Sequence, residues 1–266
     1  MEPIYYDEYF RNEREHWWFR ARESILRRQM QRMISVGRIP TRPRILNIGA
    51  ATGRSSQWLG ELGDVVSIEY DGDCCRLTRE RTGLEIVEGT ILDLPWENNS
   101  FDVVCAFDVI EHVEDDAGAV AEMKRVCRKN GILFVTVPAS PLLWSEHDEI
   151  NHHFRRYRIG ELKDLFKGCD LLLCSGFNSV LFVPIAAHRV IRRMVDRLVG
   201  ERSRPLKSDF SRSQFSAMSG LLETIFRSES LWLSRGIGLP WGVSAMIIAN
   251  WSAEDSLAQV SHAASA

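Results

Sequence analysis

The sequence predicts an α/β fold in which a largely parallel sheet carries helices on both faces. Apolar runs of strand length alternate with amphipathic stretches, a pattern typical of parallel sheets. A glycine turn joins the first run to the helix after it. A chain of 266 residues that is 45% hydrophobic can also bury one large core. The predicted strands are residues 44–48, 65–69, 84–87, 101–107, 132–137, 170–181 and 243–251.

The remaining segments predict additions to this core. Residues 13–33 predict one amphipathic helix with a stripe that includes Trp17, Trp18, Ala21, Ile25, Gln29 and Met33. The interval after the sixth strand is far longer than a typical connection, which predicts an inserted helical lid. The expected organisation is therefore a helical cap at 1–40, a core at 41–182 and 241–252, a lid at 183–240 and a disordered tail at 253–266.

The glycine turn points to a nucleotide-type ligand. The run Ile45, Leu46, Ile48 stops at Gly49 and Gly53, and the next run ends about 20 residues later in Glu69, a spacing at which an acid accepts hydrogen bonds from ribose hydroxyls. This predicts an adenosine-containing cofactor. Dinucleotide folds require Gly-x-Gly-x-x-Gly, so the Gly-x-x-x-Gly spacing disfavours a nicotinamide oxidoreductase.

Residues 42–53, Arg-Pro-Arg-Ile-Leu-Asn-Ile-Gly-Ala-Ala-Thr-Gly, resemble motif I of the class I S-adenosylmethionine-dependent methyltransferases. Residues 85–113 resemble the stretch from the third strand of that family through its fourth. The resemblance implies S-adenosylmethionine as cofactor and a Rossmann-like, doubly wound sheet of seven strands. Its order would be 3-2-1-4-5-7-6, with the last strand antiparallel, a helix before the first strand and a helical insertion between strands 6 and 7.

The same resemblance implies which residues contact the cofactor. They are Asn47, Gly49, Ala50, Ala51, Gly53, Glu69, Tyr70, Thr90, Ile91, Phe107, Asp108 and Val109. Asn47 stands where the family usually has an acid, and Ala51 where it usually has glycine. We expect Ala51 to fit only with a negative φ. These two departures keep open an alternative function, a non-catalytic scaffold that binds S-adenosylmethionine or S-adenosylhomocysteine.

Residues 16–22, His-Trp-Trp-Phe-Arg-Ala-Arg, resemble the helix before the first strand in the type 11/12 branch of the family, which is akin to the quinone-biosynthesis methyltransferases. In such enzymes an arginine of this helix pairs with the methionine carboxylate of the cofactor, which suits guanidinium geometry. Arg20 is the first candidate for this pairing and Arg22 the second.

Histidines are the candidate catalytic groups, because methylation of an oxygen requires removal of its proton. His112 follows the fourth strand, and His147 and His153 lie in the segment after the fifth. One of the latter two is the expected base, with Asp148 or Tyr157 orienting it, while a purely structural role stays open. No metal site is expected, because the spacing of His147, Asp148, His152 and His153 suits no specific geometry.

The acceptor is expected to be a small or lipid-linked molecule, methylated at oxygen. The elements Trp-x-x-His-Asp and His-x-Arg-Arg-Tyr, within residues 144–157, resemble those of family members near bacterial glycan and lipid biosynthesis genes. A net charge of −3 argues against a nucleic-acid partner. No pattern in the sequence predicts an oligomeric state.

A cytoplasmic location is expected. The six cysteines form no C-x-x-C pair, the sequence starts without a secretory signal pattern, and no apolar run is long enough to cross a bilayer. From residue 189 onward, however, arginines alternate with an apolar stripe. This pattern fits either a helix packed on the core with solvated arginines or peripheral contact with an anionic membrane.

Overall fold

A seven-stranded sheet forms the centre of the computed structural model, which describes residues 3–199 and 218–252. The strands are β1 (Arg44–Ile48), β2 (Asp64–Glu69), β3 (Val87–Glu88), β4 (Phe101–Phe107), β5 (Cys127–Pro138), β6 (Asp170–Phe177) and β7 (Ser244–Trp251). Their order is β3-β2-β1-β4-β5-β7-β6. Strand β7 runs antiparallel to both of its neighbours, whereas all pairs among the first five strands are parallel. The predicted strand order and the antiparallel last strand are confirmed.

Helices cover both faces of the sheet. They are α1 (Pro3–Glu15), α2 (Trp17–Ser35), α3 (Arg54–Gly60), α4 (Gly72–Thr82), α5 (Asp116–Val126), α6 (Glu146–Ile150), α7 (Ile159–Leu165), α8 (Phe182–Val199), α9 (Ser219–Ser228) and α10 (Ser230–Leu233). Two single turns of 3₁₀ helix, Ile110–His112 and Pro141–Leu143, follow β4 and β5.

Two apolar clusters lie on opposite faces because successive side chains of a strand alternate between faces. On one face, Val104 and Leu133 pack with Met123 of α5 and Leu162 of α7. On the other, Val103 and Ile132 pack with residues of α2, α3, α9 and α10, namely Ile25, Met30, Leu59, Phe226 and Leu233. The part of the insertion in α9 and α10 is thus packed into the core.

The predicted helix at 13–33 is two helices, and this prediction is corrected. The chain breaks at His16, whose backbone is extended (φ −75°, ψ 132°) and whose Nδ1 accepts a hydrogen bond from the N–H of Trp18. A side chain that caps the second helix in this way ends the first. Helix α1 consequently turns back, and its Glu13 contacts Thr52 in the glycine turn.

Strand ends also differ from the predictions. The third strand is Val87–Glu88 and not 84–87, and the fifth begins at Cys127. The sixth ends at Phe177, four residues early, because Asn178 has φ +55° and the chain turns there. Oε1 of Glu229 then accepts hydrogen bonds from the N–H groups of Ser179 (2.7 Å) and Val180 (2.9 Å). Residues 178–181, which hydrophobicity alone predicted to be strand, therefore pack against the insertion and do not pair in the sheet.

Helix α8 presents apolar side chains outward. Ile191 and Met194 are 60% and 58% exposed, whereas Arg189 donates to the Leu143 carbonyl and Arg192 pairs with Glu146 at 2.9 Å. A core-packed apolar face with solvated arginines is therefore wrong for these residues. Residues 200–217 of the insertion and the predicted tail at 253–266 lie outside the described residues. None of the described helices is long and apolar enough to span a membrane.

Candidate active site

Two glycines shape the turn after β1. Gly49 has φ +70° and Gly53 has φ +80°, a conformation that glycine adopts without steric cost. A Cβ atom on Gly49 would lie 2.5 Å from Cγ2 of Val109, so no other residue fits there. The close contact places the turn beside the carboxyl end of β4, at the sheet edge where open α/β sheets bind ligands.

Ala51, within this turn, has φ +44°, so the expectation of a negative φ at this position is wrong. Its N–H donates to Oε2 of Glu69, and its carbonyl accepts from Oγ1 of Thr78, both at 2.9 Å. The two hydrogen bonds hold Ala51 in a left-handed conformation that costs an L-residue about 1–2 kcal/mol. Hydrogen bonds from β2 and α4 thus hold Ala51 in a conformation that glycine would adopt without this support.

The carboxylate of Glu69 stands at the end of β2, against the turn. Its second oxygen, Oε1, accepts from the N–H of Asp71 at 3.1 Å. Tyr70, beside it, is 80% exposed and borders the same edge. Glu69 therefore lies where a side chain that binds the ribose hydroxyls would be required, and this role of Glu69 stays a prediction.

Asn47 contributes a buried acceptor beneath the turn. Its Nδ2 donates to the hydroxyls of Ser55 (2.8 Å) and Ser56 (2.9 Å). Its Oδ1 is buried and has no hydrogen-bond partner among the described residues. Because an unpaired buried acceptor costs free energy, Oδ1 is available to a donor on a bound ligand.

The end of β4 borders the candidate site on the side opposite Glu69. Phe107 stacks on Trp58 with ring centroids 5.9 Å apart. Asp108 has φ +57°, and its N–H donates to the carbonyl of Thr136 at 2.9 Å. This bond fixes a bend that directs the chain across the sheet edge. The predicted adenine-side residues lie in the loop after β3, where Ile91 is buried and Thr90 is partly exposed.

The two candidate arginines of α2 point in different directions, because residues two apart on a helix are separated by about 200°. Arg20, the first candidate, pairs with Glu223 of α9 and is half-exposed. Arg22, the second, donates to Oγ1 of Thr136 at 2.7 Å and pairs with Asp108 at 2.8 Å. We therefore correct the order of the candidates, since Arg22 is the arginine that reaches the site.

A small cavity lies between α1, α2, the start of α3 and the end of β4. Its lining residues are Glu13, Phe19, Arg22, Glu23, Leu26, Arg54, Ser55, Trp58 and Phe107. Burial raises the pKa of Glu13 to about 7, although the hydroxyl of Thr52, which donates to it, opposes this shift. The cavity is therefore lined by two arginines and two acids, and one of the acids, Glu13, has a pKa near neutral pH.

Replacing Glu13 by glutamine should remove a pH dependence of stability. The folded protein holds the Glu13 proton more tightly than the unfolded chain, so the free energy of unfolding should fall as pH rises from about 4.5 to 7. At pH 8 we expect Glu13→Gln to be more stable than the parent by about 2 kcal/mol. Below pH 4 we expect the free energies of unfolding of the two proteins to change with pH at the same rate. Urea unfolding at several pH values measures this. Glu15→Gln, at an exposed position of α1, is the control, and an equal gain there would contradict the prediction.

The loop after β5 contains a buried carboxylate with three partners. Asp148 is fully buried, and its oxygens accept from the N–H of Ser145 (2.8 Å), from Nδ1 of His153 (2.9 Å) and from Nε of Arg156 (2.7 Å). Burial alone would raise the pKa of Asp148, but the His153 hydrogen bond and the Arg156 charge hold it well below its usual range. Asp148 thus orients the His153 ring, which is one of the pairings that the sequence left open.

His153 also contacts the 3₁₀ turn that follows β4. The ring centroids of His112 and His153 are 4.6 Å apart, in edge-to-face geometry. Glu111, adjacent to His112, is fully buried. Burial, followed by the nearby charge of Asp108, raises the pKa of Glu111 well above its usual range. Two of the predicted histidines and one unpredicted acid therefore meet at one point.

The other catalytic candidates lie further from this point. The His147 ring centroid is 6.2 Å from that of His153, and Nδ2 of Asn151 lies within hydrogen-bond distance of the His147 ring. The Tyr157 hydroxyl donates to Asp116 at 2.8 Å, and burial together with this bond raises the pKa of Tyr157. Its position fits the anchoring of a loop better than proton transfer.

Sequence reasoning missed Glu13 and Glu111. Glu13 precedes the helix break and approaches the turn only because α1 folds back, for which the sequence offers no local signal. Glu111 had a signal, since it directly precedes a histidine that was singled out. An acid beside a histidine at the carboxyl end of a strand is therefore a candidate site residue.

Comparison with known proteins now bears on this geometry. Residues 46–135, which run from within β1 to within β5, match the family model described as a methyltransferase domain. This part of the chain therefore has the sequence of a methyltransferase domain. The resemblance seen in the sequence is confirmed over these residues, and two relatives of the chain are named as probable S-adenosylmethionine-dependent methyltransferases.

Relatives of the methyltransferase domain include a probable S-adenosylmethionine-dependent methyltransferase of Mycobacterium tuberculosis, 30% identical over 62% of this chain. The match spans 60% of the length of that relative. A demethylmenaquinone methyltransferase of Renibacterium salmoninarum is 31% identical over 43% of this chain and 49% of its own length.

Among solved structures, an S-adenosylmethionine-dependent methyltransferase of Thermotoga maritima shares the fold. Its TM-score is 0.53 at 21% identity, over 93% of this chain and 98% of that one. At this identity the likeness supports the fold of the methyltransferase domain and not a particular reaction.

Proposed function

We propose that the protein transfers the methyl group of S-adenosylmethionine to an oxygen atom of a small-molecule or lipid-linked acceptor. One observation carries this proposal. The histidine pair, with His153 oriented by Asp148, lies at the same sheet edge as the glycine turn and Arg22. An oxygen acceptor is the type that needs such groups, because its proton must leave as the methyl group arrives.

The methionine end of the cofactor is proposed to bind in the cavity beside the turn. Arg22 would pair with its carboxylate, for which guanidinium is well suited. Glu13 would face its ammonium group and so supply the negative charge that Asn47 lacks. In support, both side chains line the same cavity, and Oδ1 of Asn47 is a buried acceptor without a partner among the described residues.

Methyl transfer itself requires mainly positioning. The sulfonium already activates the methyl group, so the protein must hold the acceptor oxygen in line with the S–CH₃ bond. The new C–O bond forms as the S–C bond breaks and its electron pair returns to sulfur. The acceptor proton is proposed to leave at the cluster of Glu111, His112 and His153.

Thermal unfolding with S-adenosylmethionine, S-adenosylhomocysteine and NAD tests the cofactor assignment. A ligand at 100 times its dissociation constant stabilises the folded state by about 2.7 kcal/mol. We expect a higher unfolding temperature with both sulfur compounds and none with NAD. No shift with either sulfur compound would contradict the proposal, and a shift with NAD alone would favour an oxidoreductase.

The alternative function is a scaffold that binds the cofactor without catalysis. Asn47 and Ala51 motivate it, because both depart from the usual motif. If these residues impair the site, the double substitution Asn47→Asp with Ala51→Gly should raise cofactor affinity sharply. The buttressing of Ala51 by Glu69 and Thr78 favours a site that works as it stands. We therefore expect less than a threefold change by calorimetry.

A lipid-linked acceptor is supported by the outer surface of α8. Val183, Ile191 and Met194 are each more than half exposed on this helix, and amphipathic helices of this kind lie in membrane interfaces. The name of one relative gives demethylmenaquinone as its substrate, which further supports a small organic acceptor. The location is accordingly proposed as cytoplasmic with peripheral membrane contact.

Co-sedimentation with vesicles tests the membrane contact. We expect the protein to pellet with vesicles that contain anionic lipid, and we expect Ile191→Ser with Met194→Ser to reduce the bound fraction several-fold. Leu171→Ser, at an exposed apolar position of β6, is the control. Equal binding by all three proteins, or no binding at all, would contradict the proposal.

A further inference from the structure

Three groups of metal-ligating type converge where β4 and the loop after β5 meet. One ligating atom from each of Glu111, His112 and His153 lies within 4.8 Å of the other two. Two of these residues come from the 3₁₀ turn after β4, and the third comes from a loop about 40 residues later. Their meeting is therefore a product of the tertiary fold and is not an accident of adjacent positions.

Among the described residues, the carboxylate of Glu111 makes no ion pair or hydrogen bond. The residue is fully buried, and both Oε1 and Oε2 lack a hydrogen-bond partner among the described residues. Burial of an acid in this state is costly unless it is neutralised, paired or bound to a metal ion. A bound cation beside the two imidazoles would offset that cost directly.

Both imidazoles have partners of the kind that orient metal ligands. Nδ1 of His153 is 2.9 Å from Oδ1 of Asp148, which leaves Nε2 of that ring for an ion. The backbone carbonyl of Asn151 lies near the His112 ring. Histidine ligands in proteins almost always donate their second N–H to a carboxylate or a backbone carbonyl in this way.

We propose that Glu111, His112 and His153 bind one divalent transition-metal ion, of which Zn²⁺ and Co²⁺ are examples. Two imidazoles and one carboxylate form a known ligand set for such ions. Ligands about 2.1 Å from one ion lie at most about 4.2 Å apart, so the three groups need to close by only about half an ångström. His112 is exposed, which leaves one side of the ion open to a further ligand.

The role of the ion deepens the proposed function and rests on it. The acceptor hydroxyl would occupy the open side of the ion, and a bound cation lowers the pKa of a coordinated hydroxyl. The O–H bond breaks with loss of its proton to solvent, and the oxygen then forms the C–O bond as the S–C bond breaks. In this scheme the two histidines promote loss of the acceptor proton through the ion that they hold.

Titration of the purified protein with Co²⁺, followed by its visible absorption, tests the site without any acceptor. We expect one Co²⁺ per chain, with an absorption band that Zn²⁺ abolishes by competition. Glu111→Gln should weaken Co²⁺ binding about 100-fold or more, because it keeps the size of the side chain but removes the charged ligand. His112→Ala, at an exposed position, is a second variant that should weaken binding while leaving the core untouched.

His188→Gln, at an exposed position of α8, is the control for binding to surface histidines. Unchanged affinity in both Glu111→Gln and His112→Ala, or no saturable binding at millimolar Co²⁺, would overturn the proposal. An equal loss in His188→Gln would assign the signal to surface histidines. Calorimetry with S-adenosylmethionine on the same samples separates the two proposals, since cofactor binding without the ion, or the reverse, identifies which one fails.

Discussion

Replacing Arg22 by alanine is expected to weaken binding of S-adenosylmethionine by about 100-fold, or about 2.7 kcal/mol. The Arg22 side chain is 13% exposed, and its guanidinium stands at the cavity, in contact with Asp108 and Thr136. A charge-assisted, two-pronged contact with a carboxylate is among the stronger polar interactions. Its loss also leaves Asp108 without its ion pair next to the site. Isothermal calorimetry with S-adenosylhomocysteine, which does not react, measures the effect.

Arg20 provides a matched control for this prediction. It lies on the same helix, carries the same charge and makes an ion pair with Glu223, but its side chain is 52% exposed and faces away from the cavity. Arg20→Ala should change affinity by less than threefold, because partly exposed ion pairs contribute little. If Arg20→Ala were the more damaging variant, the order of candidates expected from sequence would be restored.

Replacing Asp148 by asparagine is expected to destabilise the protein by about 3–5 kcal/mol, because it leaves a buried cation without its counter-charge. Arg156 is 4% exposed at its side chain and donates to Asp148 at 2.7 Å. The His153 ring loses its orienting partner in the same step. Chemical unfolding at pH 7 measures the change. Asp64→Asn removes a pair with Arg42 in which both side chains are 67% exposed, so it should cost less than about 1 kcal/mol.

The pH dependence of the Asp148 effect has a definite sign. The folded protein depresses the pKa of this carboxyl, so the contribution to stability is complete above the unfolded pKa of about 4. It is lost as pH falls through the lower pKa of the folded state. The difference between the parent and Asp148→Asn should therefore shrink on acidification below about pH 4. A constant difference between pH 7 and pH 3 would contradict this account.

The core of the fold could be predicted because its signals are local and repeated. Strands β1, β2, β4 and β5 contain apolar runs, whereas β3 is only Val87–Glu88, and the resemblance supplied the order of the strands. The glycine turn was predictable for the same reason, since Gly49 needs both a positive φ and an absent Cβ beside Val109. Strand ends were less predictable, as β6 shows, because Glu229 of the insertion takes over the backbone after Phe177.

The candidate site was only half predictable. Its histidines follow strands, and the carboxyl ends of neighbouring parallel strands meet at one edge, so their convergence could be expected. Which arginine reaches the cofactor could not, because Arg20 and Arg22 belong to the same motif and differ only in the direction they face. The sequence also did not show that the apolar side of α8 faces outward. The periodicity of a helix reveals an apolar face but not whether that face packs on the core.

The sequence by itself determined the alternation of strands and helices and the position of the glycine turn, because hydrophobic periodicity and backbone conformation are properties of residues close together in the chain. The resemblance of its motifs to a family supplied the methyltransferase assignment and the strand order. The tertiary structure decided that α1 folds back to bring Glu13 to the turn, that Arg22 and not Arg20 faces the cavity, and that Glu111 meets His153. Contacts of this kind join segments that are far apart in the chain, and only the packing of helices and loops against the sheet specifies them.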